Sequence, residues 1–251
     1  QCAENFELMS HGNKNIQSGC LVCESVAAFC KVAEPLSNLD EFDKRSLQTG
    51  VWTLEHYFKR YQDDPFVVYE DEQGPMIERM FKYKLVDNDH YTIYIFGTVD
   101  VILQNEQTGQ ILVTDHKTTS VLGNDFYNRL KPNHQYTGYV LGAQKEFNLD
   151  TDVFMVNGIQ VKGKPKTARG TIPNYVRQIT SRSEEDFDEF KTTIKYYVEQ
   201  FLKCKASGFW PLGPVNACAS YGGCRYLDVC SVPSNLHESI INNKFNTGAY
   251  E

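Results

Sequence analysis

Apolar positions along the chain follow two periods. From Asp40 to Tyr61, Leu47, Val51, Leu54 and Phe58 recur at helical spacing and predict a helix that Asp63, Asp64 and Pro65 end. The pattern then shortens. Phe66–Tyr69, Ile77–Leu85, Tyr91–Leu103 and Gln110–Lys117 are β-rich runs. A helical region, Asp125–Phe147, is interrupted near Pro132, and strands at Asp152–Val161 and Asn174–Thr180 flank a basic turn. Ser183 with Asp186 forms an S-x-x-D capping box, which opens a long helix striped by Phe187, Phe190, Ile194, Tyr197, Val198 and Phe201. The expectation is a single α/β domain over 1–251: a mixed central sheet flanked by helices (40–204), an irregular Cys-bearing segment before it (1–39) and a Cys-bearing tail after it (205–251).

Composition narrows the function classes. With 251 residues, 41% hydrophobic and 23% charged, the chain is globular, neither disordered nor fibrous. Its apolar runs are far shorter than a membrane span, and its mean hydropathy is -0.45. A net charge of -7 excludes coating nucleic acid by bulk charge alone, but not a local basic groove. The densest basic patch is Lys162, Lys164, Lys166 and Arg169, which Gly163, Pro165 and Gly170 make a projecting turn. The chain opens on Gln1, which points to residues removed or not included upstream, and its first stretch does not resemble a signal peptide. Eight cysteines cluster toward the two ends, and their spacings favour metal or cluster ligation, or free thiols, over disulfides.

The most informative stretch is Gly97–Lys117. Two β-rich runs joined by the polar segment Asn105–Gln110 predict an antiparallel hairpin. A turn centred on Gln107 and Thr108 sets Ile102 opposite Val113 and Asp100 opposite Asp115. Side chains alternate at period two, so Asp115 and Lys117 share a face. Like charges placed across a ladder repel, and a divalent metal held by both aspartates resolves that conflict. Lys117 then orients or helps deprotonate the attacking water and stabilises negative charge that develops at phosphorus. Downstream, Gln135 and Tyr139 stand at i and i+4 on one helical face, and Gly138, Gly142 and Ala143 allow that helix close to the sheet.

The order Gly97-x-x-Asp100, Asp115-x-Lys117-Thr118, Gln135-x-x-x-Tyr139 resembles the RecB-type branch of the PD-(D/E)xK nuclease superfamily, from about Glu78 to Cys230. The resemblance implies the restriction-endonuclease-like core and a Mg²⁺ or Mn²⁺ site at Asp100, Asp115 and the main-chain carbonyl of His116, with Lys117 as the catalytic lysine. It also implies that Gln135 and Tyr139 line the site and that Glu78 supports the metal or water. Many members carry a histidine on the preceding helix; here Val51 takes that place, and His56, on another helical face, is the nearby candidate.

Cys218-x5-Cys224-x5-Cys230 resembles the C-terminal triplet that, with one N-terminal cysteine, binds a 4Fe–4S cluster in the iron–sulfur subset of that branch. Cys2 is the favoured fourth ligand and Cys20 or Cys23 the alternative, with zinc as the fallback metal; Cys204 reads as a plain buried thiol. The function implied is a Mg- or Mn-dependent deoxyribonuclease, an exonuclease on single-stranded or free-ended DNA. Its setting would be replication, recombination or repair in a prokaryotic or bacteriophage-infected cytoplasm, with a recombination or helicase partner and no membrane. The rivals are a CRISPR spacer-acquisition nuclease and a non-catalytic DNA-binding or assembly module that keeps the fold.

Overall fold

The structure, a computed structural model, describes residues 21–34, 39–40, 43–131, 133–163, 173–213, 215–219 and 223–245. The chain divides into two compact units, Gln1–Lys195 and Tyr196–Glu251. Among the described residues, no helix is long and apolar enough to cross a membrane.

The first unit opens with helices α1 (Leu21–Ala33) and α2 (Leu47–Arg60). Helix α2 begins at Leu47, not near Asp40, because Ser46 is extended and its side chain accepts the Thr49 N–H, capping the helix there. The two helices pack through Val26, Phe29, Val51 and Leu54. Gly50 makes this approach possible: a Cβ on it would stand 2.1 Å from the Phe29 ring.

Strands β1 (Phe66–Val68), β2 (Glu70–Asp71), β3 (Gly74–Pro75), β4 (Ile77–Asp87), β5 (Thr92–Asn105) and β6 (Ile111–Thr119) come next, then short helix α3 (Asn124–Tyr127) and helix α4 (His134–Glu146). Strands β7 (Val153–Gln160) and β8 (Tyr175–Ser181) complete the sheet. Its order is β1-β5-β6-β7-β8, with β4 also pairing β5, while β2 and β3 form their own ribbon. Among the described strands, only β6 and β7 run parallel, which requires the crossover that carries α3 and α4. The sheet is mixed and flanked by helices, as its sequence pattern predicts.

One face of the sheet packs on α4 through Phe81, Val99, Ile102, Val113, Val140, Phe154 and Val156. The other face carries Leu112, Val153 and Met155, with Phe66 and Leu103 against them. Gly142 lets α4 sit on the sheet, since a Cβ there would come within 2.6 Å of the Phe81 ring; Gly138 instead faces Phe190. Helix α5 (Glu184–Ser207) opens with the expected box: Ser183 N–H donates to Asp186 Oδ2 at 2.9 Å and Asp186 N–H to Ser183 Oγ at 3.3 Å. Phe187 and Phe190 enter the α4-side core and Ile194 packs against it.

The second unit holds the rest of α5, then α6 (Val215–Ala219), α7 (Leu227–Cys230) and α8 (His237–Lys244). Tyr197 and Phe201 of the α5 stripe are largely exposed, so the apolar pattern there marks no buried core. Phe201 meets Trp210 edge-on, Tyr226 stacks on Phe245, and Lys244 pairs with Asp228 at 2.6 Å. Neither α7 nor α8 has a buried residue.

Candidate active site

The β5–β6 hairpin has the predicted register, with Ile102 opposite Val113. Asn105 shapes its turn by accepting the N–H groups of Gln107 and Thr108, and Gly109 takes a φ of +73°. The ladder ends at Val101–Thr114, so Asp100 and Asp115 do not form a regular facing pair. Asp100 Oδ2 instead accepts the main-chain N–H of His116 at 2.8 Å.

The neighbouring ladder shows why Asp100 turns this way. Phe81 and Met76 lie in the same α4-side core although they are five residues apart, and so do Val99 and Ile102, three apart. Strict alternation forbids both, so both strands change phase in between. The change falls at Glu78, whose φ is +50°, and at Asp100 across from it.

Asp115 and Lys117 point to the α4 side. Lys117 Nζ donates to Asp115 Oδ1 at 3.0 Å and lies 2.9 Å from Oδ2, which is buried with no hydrogen bond directed at it. Burial raises the Asp115 carboxyl above the ordinary range; Lys117 opposes the rise, and the Asp100 charge adds to it. For Lys117 burial disfavours the charge, but the hydrogen bond and charge of Asp115, with help from Tyr136 and Asp100, hold its ammonium above the usual lysine range.

On the opposite face, Glu78, Asp100 and His116 line a cavity of about 590 Å³ together with Tyr57, Asn157 and Arg177. Asn157 Nδ2 donates to Tyr57 Oη at 2.6 Å and lies 2.8 Å from His116 Nδ1. Desolvation holds the His116 pKa below its ordinary value, although Asp100, Asp115 and Glu78 pull it upward. Arg177 donates to Tyr57 Oη at 3.0 Å, pairs with Asp64 at 2.6 Å and stacks 3.8 Å from the Tyr61 ring centroid.

Asp115 and Lys117 on one face and Glu78, Asp100 and His116 on the other thus flank the point where β5 and β6 separate, near enough for the Asp100 charge to act on both Asp115 and Lys117. Gln135 and Tyr139 do share a helical face, but Gln135 Nε2 donates to Tyr139 Oη at 3.0 Å, and the Tyr139 ring packs edge-on against Phe81. The aromatic whose electrostatics respond to Asp115 and Lys117 is Tyr136, buried and stacked on Phe154. His56 does not line the cavity: its Nδ1 lies 2.8 Å from the Trp52 carbonyl oxygen, one turn back, with its ring against Trp52. Sequence reasoning passed over Tyr57, Asn157 and Arg177. Asn157 had a signal, a lone amide in the apolar run Val153–Ile159, because a buried polar group needs partners.

Among the described residues, no three His, Cys, Asp or Glu side chains are grouped to hold a metal. Mg²⁺ asks less, since one or two carboxylates suffice while water completes its shell. Asp100 and Asp115, whose buried Oδ2 accepts no hydrogen bond and carries only the Lys117 ion pair, supply that number of carboxylates. Cys218, Cys224 and Cys230 have free thiols and are not gathered into a ligand set; the Cys224 N–H donates to the Cys218 carbonyl at 2.8 Å. Cys204 is also free and half-buried. Cys2 and Cys20, and in the basic loop Lys164, Lys166 and Arg169, lie outside the described residues. Cys23 falls on α1, and Lys162 comes just after β7, partly exposed.

No curated protein matches the sequence. Among solved structures, the crystal structure of SSO0001 is similar to this chain at 10% identity and a TM-score of 0.31, covering 77% of this chain and 87% of that one. The sequence model of the PD-(D/E)XK nuclease superfamily matches residues 22–231, and the chain belongs to that superfamily.

Proposed function

We propose that this protein is a Mg²⁺- or Mn²⁺-dependent deoxyribonuclease, an exonuclease on single-stranded or frayed DNA ends serving replication, recombination or repair. The observation that carries the reading is the meeting of Asp115, Lys117 and Asp100 where β5 and β6 part, with Lys117 within 3.0 Å of both Asp115 oxygens and Asp100 fixed by the His116 N–H. Asp100, Asp115 and the His116 main-chain carbonyl would hold the ion. When bound, it supplies Lewis-acid stabilisation of the phosphodiester oxygens. Lys117, protonated beside Asp115, orients the attacking water and stabilises charge that develops at phosphorus. Glu78 and His116 form the polar wall of the adjoining cavity, with Asn157, itself bonded to Tyr57, beside the imidazole. Lys162, Lys164, Lys166 and Arg169 supply positive charge for the phosphate backbone.

The test is incubation with end-labelled single- and double-stranded DNA and Mg²⁺ or Mn²⁺, resolving product lengths over time. Progressive shortening that Asp115→Asn abolishes supports the reading; intact substrate with the wild type overturns it. The same reading gives Cys218, Cys224 and Cys230, with a fourth thiolate, to a structural 4Fe–4S cluster, or zinc in its place. What supports it is a C-terminal unit whose helices α7 and α8 bury no residue of their own. Iron, zinc and acid-labile sulfide per chain, measured on protein purified without oxygen, decide it; finding none of them overturns it.

A further inference from the structure

Beyond the site, the β4–β5 ribbon has two unlike faces. Residues Phe81, Tyr83 and Ile93 are buried on the inner one. The outer face carries Met80, Lys82 and Lys84 on β4, opposite Thr98, Phe96 and Tyr94 on β5. Phe96 is 77% and Met80 76% exposed, and Tyr94 is about half exposed. Lys82 Nζ lies 4.9 Å from the Tyr94 ring centroid, and Lys84 pairs with Asp87 at the ribbon's far end. Large apolar groups laid out in a row on an exposed strand face need an occupant.

The place of the row in the fold identifies that occupant. At period two, Tyr94, Phe96 and Thr98 lead along β5 to Asp100, while Lys84, Lys82 and Met80 lead along β4 to Glu78. At about 3.3 Å per residue, Phe96 stands roughly 13 Å from Asp100 along the strand. The stripe therefore runs into the cavity that Glu78, Asp100 and His116 line. Aromatic faces interleaved with lysines suit a nucleic-acid strand, whose bases stack and whose phosphates seek cations. A second copy pairing strand to strand is disfavoured, because Lys82 and Lys84 would be brought against their own kind.

We propose that the outer face of the β4–β5 ribbon is a stacking platform for single-stranded DNA: bases of the strand lie on Tyr94 and Phe96, and Lys82 and Lys84 meet its phosphates. This rests on the nuclease reading of the site and adds the path by which the strand arrives.

The test uses the full chain carrying Asp115→Asn, so that the probe stays uncut, and fluorescein-labelled dT20 beside an abasic oligonucleotide of the same length. Phe96→Ala and Tyr94→Ala should each weaken dT20 binding about ten-fold, Phe96→Trp should restore it, and the abasic strand should be affected little. Unchanged dT20 binding by the double alanine variant, with cleavage by the wild type intact, overturns the platform and leaves the nuclease reading standing. Equal losses on dT20 and the abasic strand, or a dimer that light scattering shows Phe96→Ala to dissolve, overturn it too. A wild type that neither binds nor cuts DNA overturns both readings. Thermal unfolding of each variant confirms that these exposed substitutions leave the fold intact.

Discussion

Glu78 stands across the β4–β5 ladder from Asp100, between the pairs Ile77–Val101 and Arg79–Val99, and holds a φ of +50°. A glutamate in the left-handed region carries backbone strain, which glycine relieves. Glu78→Gly should therefore raise unfolding stability by about 0.5–1 kcal/mol after glycine's own entropic cost, while lowering metal-dependent cleavage. Glu78→Ala keeps the strain and should lower cleavage without the gain. Chemical denaturation of both variants separates them; equal stabilities would remove the strain argument.

Asp115 carries a pH-dependent cost. Its native pKa lies above the unfolded value, through burial first and the Asp100 charge further, with Lys117 opposing. Ionising such a group destabilises the fold. The cost is absent below the unfolded carboxyl pKa of about 3.9 and grows as pH rises through the native pKa. Asp115→Asn should thus have a higher Tm than the wild type at pH 7, with the gap closing below about pH 4. A gap that does not change with pH would contradict this.

Metal binding has a thermal signature of its own. An ion that binds only the native state at 100 times its Kd stabilises by about 2.7 kcal/mol. Mg²⁺ should raise the Tm of the wild type and leave Asp115→Asn and Asp100→Asn unmoved, read by calorimetry without DNA. An equal rise in all three proteins would place the ion elsewhere.

Arg182, 2% exposed, is a clamp. It donates to Thr137 Oγ1, Thr180 Oγ1 and the carbonyls of Leu130 and Ser181, tying α4 and the segment before it to the end of β8. Arg182→Met fills much of the volume and leaves those acceptors unpaired, at a cost of about 2–4 kcal/mol. Urea unfolding measures it, and a loss under 1 kcal/mol would show that water replaces the guanidinium.

Gly142→Ala tests how tightly α4 meets the sheet. The added methyl meets ring atoms of Phe81 at 2.6 Å, in a core without slack. The expected loss is about 1–3 kcal/mol by overpacking, with a fall in Tm.

Much of this was legible in the sequence. The hairpin register came from the Asn105–Gln110 turn and period-two alternation, and those two facts set Asp115 beside Lys117. The Ser183 box announced α5 because its mechanism is local. What escaped was non-local. Alternation alone set Asp100 squarely opposite Asp115; it could not show the phase change at Glu78, which depends on where Met76 and Tyr69 bond to Ile102. Nor could helical spacing tell Tyr136 from Tyr139 as the neighbour of Lys117, because that depends on how α4 rotates onto Phe81 and Phe154. Tyr57 reaches Asn157 across 100 residues of chain, a pairing no local pattern encodes.

Glu78, Asp100, Asp115 and Lys117 all lie on β4, β5 and β6, three successive strands in which each pairs with the next. Short connections make such a meander quick to close, whereas the parallel β6–β7 pairing must wait for a crossover helix to be threaded. The acidic centre should therefore come together in folding ahead of the Asn157 contact beside His116. Pulse-labelled hydrogen exchange should find the amides of β5 protected before those of β7, and the newborn site exposed to ions and strands before its far wall closes.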